Sequence, residues 1–129
     1  MTVIKHIVMW NVRGDDAVTR ARNAALVKAE FESLRGRVPG LLHLEVGVDD
    51  SRIDYACDVV LVTEFASREA LAAYAEHPEH LRVRRALGDL RIARHQVDYE
   101  VSYSTPLPAG DVAGHQNISG DEHHVQAVR

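Results

Sequence analysis

The sequence predicts an α+β fold of the ferredoxin-like type, a βαββαβ chain whose four-stranded antiparallel sheet carries its helices on one face and dimerises through the other. Three observations lead there. Apolar residues recur with a period of two in four stretches and near 3.6 in the rest, in the order strand, helix, strand, strand, helix, strand. Pro39-Gly40 and the polar run from Asp49 to Asp54 punctuate the middle of that order. The first and third strands are apolar on both faces, so a lone subunit would leave a bare apolar sheet surface. A second copy packed sheet against sheet would cover it, giving a symmetric homodimer with a central α+β barrel.

Each element has its own signature. Val3 to Asn11 forms the first strand, with Ile4, His6, Val8 and Trp10 on one face and Lys5, Ile7 and Met9 on the other. Asp15 and Asp16 offer acidic caps to a long helix in which Ala17, Ala21, Ala24, Val27, Phe31, Leu34 and Val38 recur at steps of three and four. Pro39-Gly40 stops that helix. Leu42, Leu44, Val46 and Val48 then alternate with His43, Glu45 and Gly47 in a second strand, and Val59 to Phe65 forms the third. Ser67 suits a helix N-cap, Glu69 sits where the helix dipole favours negative charge, and Ala70, Leu71 and Tyr74 share one face. Pro78 ends this helix and starts another, in which His80, Val83 and Leu87 share a face. Ile92 to Val101 is the fourth strand. Residues 102–129 repeat proline and glycine without periodicity, which predicts an extended C-terminal tail beyond a domain of residues 2–101.

Composition narrows the function classes. Of the 129 residues, 46% are hydrophobic and 26% charged, enough for one soluble domain with a real core. A net charge of -4 gives no electrostatic case for a nucleic acid or an anionic membrane as partner. Lys5 and His6 interrupt the first apolar run, and no run is long enough to span a bilayer, so no membrane and a cytoplasmic location are expected. Arg82, Arg84, Arg85, Arg91 and Arg94 cluster near the last helix, but Glu79 and Asp89 are interleaved, which predicts a solvated helix face. The lone Cys57 has no partner for an internal disulfide and reads as a small core residue in an apolar strand.

The chemistry-bearing residues gather at the two ends of this order. His6 sits among apolar residues on the helix-facing side, either as a histidine lining a cavity and exchanging protons near neutral pH or as a hydrogen-bonded core residue. Tyr74 and His80 flank Pro78. A phenol and an imidazole converging there could orient a carbonyl oxygen and remove an acidic proton, as an enolisation or aldol reaction needs; alternatively the ring packs and the histidine braces the helix junction. His77-x-x-His80 has metal-ligand spacing, but Pro78 interrupts the helix and no third ligand is near in sequence, so neither a metal nor a cofactor is expected. Asp98 could orient a histidine on the neighbouring strand, or serve as a sheet-edge acid. No phosphate-binding glycine loop, nucleophile elbow or CxxC pattern is present.

Taken together, Ile4-Lys5-His6-Ile7-Val8-Met9-Trp10, Pro39-Gly40, the Val59 to Phe65 strand, Tyr74-x-x-His77-Pro78-x-His80 and Val97-Asp98-Tyr99 resemble the stress-responsive dimeric α+β barrel (Dabb) family over residues 2–101. The resemblance implies a ferredoxin-like protomer dimerising through its sheet. It implies nothing for the tail. Some plant members of the family are known for stress tolerance, and one, olivetolic acid cyclase, closes a linear polyketide by an aldol reaction. By that resemblance His80 would be the base, Tyr74 the group that positions a carbonyl, and His6 a supporting proton donor, with Val8, Trp10, Phe31 and His77 binding substrate. The implied function is binding of a small carbonyl-bearing organic molecule between sheet and helices, with cyclase or isomerase chemistry. The alternatives are a stress protein without catalysis and, with less support, a cofactor-independent monooxygenase.

Overall fold

The structure is a computed structural model and describes residues 1–104. Its elements run β1 (Thr2–Val12), α1 (Ala17–Glu32), β2 (Leu41–Val48), β3 (Val59–Phe65), α2 (Arg68–Glu76), α3 (Pro78–Leu87) and β4 (Arg91–Ser102). The four strands form one sheet in the order β2-β3-β1-β4, antiparallel at every junction. This is the expected ferredoxin-like arrangement. The expected tail lies, from residue 105 onwards, outside the described residues. Its first residues belong to the sheet, because β4 runs to Ser102 and the Tyr103 N–H donates to the Met1 carbonyl at 2.7 Å.

The pleat sorts the side chains. In β3 every second residue, Val59, Leu61, Thr63 and Phe65, is buried against the helices, and in β1 the same is true of Ile4, His6, Val8 and Trp10. These residues meet Val27, Phe31 and Leu34 from the first helical segment, and Tyr74, Val83 and Leu87 from the second, in one apolar core. Burial of that face is the main stabilising term, at roughly 1.5–3 kcal/mol for each fully buried large side chain. The other face of the sheet carries Ile7, Met9, Val60, Val62, Val97 and Tyr99, which no element among the described residues covers.

Local chemistry sets the element ends. Asp16 accepts the Thr19 N–H and Ser67 the Ala70 N–H, so both helices are capped by the side chains best suited to it. The first helix ends earlier than its apolar spacing suggests. Leu34 and Val38 are buried, but after Glu32 the chain continues in turns: Leu34 N bonds Phe31 O, Arg37 N bonds Leu34 O, and Gly36 has a φ of +75°. At the start of β2 a bulge between Leu41 and His43 leaves Leu42 exposed, and Leu41 packs on the core instead. Gly40, at a φ of +79°, lies so close to α2 that an added Cβ would be 2.6 Å from the Ala70 Cβ. Cys57 is half-exposed in the loop before β3, not in a strand, which corrects the expectation of a core cysteine. No helix among the described residues is long and apolar enough to cross a membrane.

Candidate functional site

A cavity of about 210 Å³ lies between the helix-facing side of the sheet and helices α2 and α3. His6 reaches it from β1, Tyr74 from α2 and His80 from α3. Val8, Trp10 and Phe31 line it as well, with Leu61 and Leu71 completing an apolar body. His77 does not. Its backbone is extended (φ -66°, ψ 138°), as proline requires of the residue before it, and its Nδ1 accepts the Glu79 N–H at 3.1 Å. The expected substrate-binding role of His77 is therefore corrected to that of an N-cap for α3, with Pro78 at the first helical position.

The three site rings form a stepped series. Tyr74 lies 4.3 Å from the His80 ring, 5.0 Å from Phe65 and 6.2 Å from His6, centroid to centroid. Tyr74 is buried, and its hydroxyl makes no hydrogen bond among the described residues while its ring lines the cavity. Burial raises the pKa of this phenol, and the nearby Arg91 and Arg94 offset only part of that effect. Tyr74 therefore stays protonated at neutral pH and can donate. For His80 the same physics works in the opposite direction: burial disfavours the cation, the Ala75 carbonyl favours it, and Arg84, Arg91 and Arg94 disfavour it, with a net lowering. Nδ1 of His80 lies 3.1 Å from the Ala75 carbonyl oxygen, which can only accept, so Nδ1 carries the hydrogen. In the neutral ring Nε2 is then a free base.

His6 has an orienting partner. Its Nδ1 lies 2.5 Å from Oδ1 of Asp98, which faces it directly across the β1–β4 ladder. An ionised carboxylate only accepts, which assigns the hydrogen to Nδ1 and leaves Nε2 of a neutral His6 without one. A relay continues outward. Gln96 donates to the other Asp98 oxygen at 3.0 Å, and Arg94 donates to the Gln96 carbonyl oxygen. Asp98 is thus the orienting acid of the two readings open to it from sequence.

Arg91 and Arg94 also line the cavity, which sequence reasoning missed. Of the predicted solvated arginine face, Arg82 is tied down by ion pairs to Glu30 and Glu79, while Arg91 turns inward over the stacked rings of Trp10 and Phe31. Periodicity could not reveal this, because a bulge interrupts β4 between Ile92 and Arg94. Among the described residues no three His, Cys, Asp or Glu side chains come together as a metal site.

Comparison with known proteins identifies the fold and family. The chain matches the family model of the Stress responsive A/B Barrel Domain over residues 4–101. A dimeric protein of unknown function and ferredoxin-like fold from Bacteroides fragilis is 27% identical, with a TM-score of 0.68 over 77% of this chain and 96% of that one. A dimeric ferredoxin-like protein of unknown function from Jannaschia sp. is 26% identical, with a TM-score of 0.60 over 77% and 99%. Hydroxynitrile lyase from Passiflora edulis shares the fold at 13% identity, with a TM-score of 0.64 over 81% and 97%. No curated protein matches. With the family model spanning most of the chain, and the sheet order and helices those of a ferredoxin-like fold, this protein belongs to the stress responsive A/B barrel domain family.

Proposed function

We propose that the chain forms a homodimer through the open face of its sheet. Each protomer binds a small, partly apolar, carbonyl-bearing molecule between sheet and helices and acts on it by acid–base chemistry of the enolisation or aldol type. The observation that carries this reading is the convergence of two imidazoles and a phenol from three elements on one largely apolar cavity. His80 Nε2 takes a proton from the carbon next to the carbonyl. The C–H electron pair becomes the C=C bond of an enolate while the carbonyl π pair moves to oxygen, where the Tyr74 hydroxyl donates a hydrogen bond. Return of the proton elsewhere isomerises the molecule. Attack of the enolate carbon on a second carbonyl forms a C–C bond as that carbonyl's π pair moves to its oxygen. The resulting alkoxide takes its proton from Nε2 of a His6 that carries a hydrogen on both nitrogens, while the proton gained by His80 passes to solvent, from which His6 regains one.

Two further observations support the reading. The open sheet face is apolar, and relatives of this fold from Bacteroides fragilis and Jannaschia sp. are dimeric. A protein of similar fold from Passiflora edulis is a hydroxynitrile lyase, so the scaffold is compatible with a lyase site. The test is exchange of the α-protons of acetophenone and benzoylpropionate for deuterium, followed by NMR. We expect His80→Ala and Tyr74→Phe each to slow exchange by on the order of a hundredfold. Equal exchange by the wild type and both folded variants would remove the catalytic reading and leave a stress protein whose useful property is the dimer itself.

A further inference from the structure

Resting on the reading of the cavity as a carbonyl site, we infer that its substrate also carries a carboxylate, and that Arg91, with Arg94 at the rim, binds it. The placement of the two arginines comes from a distortion of β4. In a regular strand residues three apart point to opposite faces. Here Trp10 pairs with Arg94 and Asn11 with Ile92, so Ala93 is an extra residue, held at a φ of +51° that a side chain rarely adopts. The bulge flips the alternation, and Arg91 and Arg94 both come to the helix-facing side beside the cavity. Such a conformation is unfavourable for alanine, and it persists here next to the candidate site.

The surroundings of Arg91, a half-buried cation, are unusual for such a charge, whereas Arg94 is exposed at the rim. The Arg91 guanidinium lies 5.0 Å from the Trp10 ring and 5.3 Å from the Phe31 ring, and its Nε is buried with no hydrogen-bond partner among the described residues. Buried arginines are normally paired with carboxylates. Among the described residues Arg91 has none within ion-pair distance, and neither do the exposed Arg84 and Arg94 beside it. Asp98, the carboxylate on the cavity, is already engaged by His6 and Gln96. A second hollow of about 390 Å³ adjoins the first, sharing Trp10, His80, Arg91 and Arg94 and adding Arg84, without any acidic residue in its wall. In a chain of net charge -4 this is a local positive pole and not general basicity. A carboxylate there would supply the missing acceptor, and the planar guanidinium fork matches its two oxygens. The apolar body of the cavity would then hold the rest of an acyl or aryl keto acid, with its carbonyl at Tyr74.

Trp10 is the chain's single tryptophan and stacks beside Arg91, so its fluorescence reports occupancy directly. The probes are benzoylpropionate and its neutral methyl ester, titrated against the full chain. The acid should bind about tenfold more tightly than the ester, as expected for a charge-assisted hydrogen bond, and its binding should weaken with added salt. Arg91→Met, which keeps an apolar stem over the two rings, should erase the preference for the acid. Arg94→Gln should reduce it, and serves as the second variant if Arg91→Met does not fold. Equal binding of acid and ester by the wild type, no saturable binding of the acid, or an acid preference unchanged in the folded variants would overturn the inference. Deuterium exchange measured in parallel keeps the two readings apart: loss of exchange with the acid preference intact supports the anion site and counts only against the carbonyl chemistry.

Discussion

His6 and Asp98 are direct cross-strand partners on β1 and β4, and their side chains meet at 2.5 Å on the cavity side of the sheet. The pair works as an oriented imidazole, because the carboxylate selects the tautomer and holds the ring. Asp98→Asn keeps the shape and removes the charge, and its amide can present a donor to Nδ1 and so reverse the tautomer. We expect exchange or turnover to fall by on the order of a hundredfold with little change in stability. Nitrogen-detected NMR of the His6 ring checks the cause: an unchanged tautomer in the variant would mean that Asp98 does not orient it.

The pH dependence of stability follows from His80. Burial, with Arg84, Arg91 and Arg94, holds this imidazole below its ordinary value of 6.5 against the opposing bond to Ala75. The unfolded chain therefore takes up the His80 proton near pH 6.5, and the folded chain only at lower pH. Between those two values the unfolded state binds more protons, so the His80 contribution makes stability fall as pH falls through that window and leaves it unaffected above it. His80→Gln should flatten this part of the profile. Urea denaturation at a series of pH values compares the two, and parallel profiles would show that the ring titrates normally.

How much of this was legible in the sequence depends on where regular periodicity held. His6, Val8 and Trp10 share a face because β1 is regular over that stretch, so their common exposure to the helix side followed from alternation alone. Asp98 could be placed opposite a histidine for the same reason. Arg91 could not, since the bulge at Ala93 breaks the parity that sequence reading relies on, and no glycine or proline marks it. Leu42 was misjudged through a bulge of the same kind. His77 and His80 looked like neighbours on one helix, yet Pro78 makes the first a cap and the second a cavity residue.

His77 yields a separable outcome. Its Nδ1 satisfies the Glu79 N–H, one of the donors a helix start leaves unpaired, at a half-buried position. His77→Ala should cost about 1 kcal/mol, and His77→Asn, which keeps a side-chain acceptor, should cost less. Chemical denaturation measures both. Equal losses for the two variants would mean that the cap contributes nothing and the ring acts by packing alone.

The proposed dimer contact on the open sheet face can be tested with a single charge. Met9, Val97 and Tyr99 are 37%, 50% and 41% exposed in the single subunit, and they lie with Ile7, Val60 and Val62 on one continuous side of β1, β3 and β4. In a two-fold dimer each of these residues enters the interface twice, so one substitution places two charges in the same apolar layer. Val97→Asp would bury two unpaired carboxylates there, at a cost of several kcal/mol. The dimer dissociation constant should therefore rise by about a hundredfold or more, whereas Val97→Ala should shift it far less. Sedimentation equilibrium over a range of concentrations reads this directly. A wild-type protein that sediments as a single subunit would overturn the dimer, and a Val97→Asp variant that dimerises as well as the wild type would place the contact elsewhere. Because His6 and Asp98 belong to the two strands that carry Ile7 and Val97, the same variant asks whether the dimer also steadies the site: loss of the His6 tautomer on dissociation would tie the two faces of the sheet together.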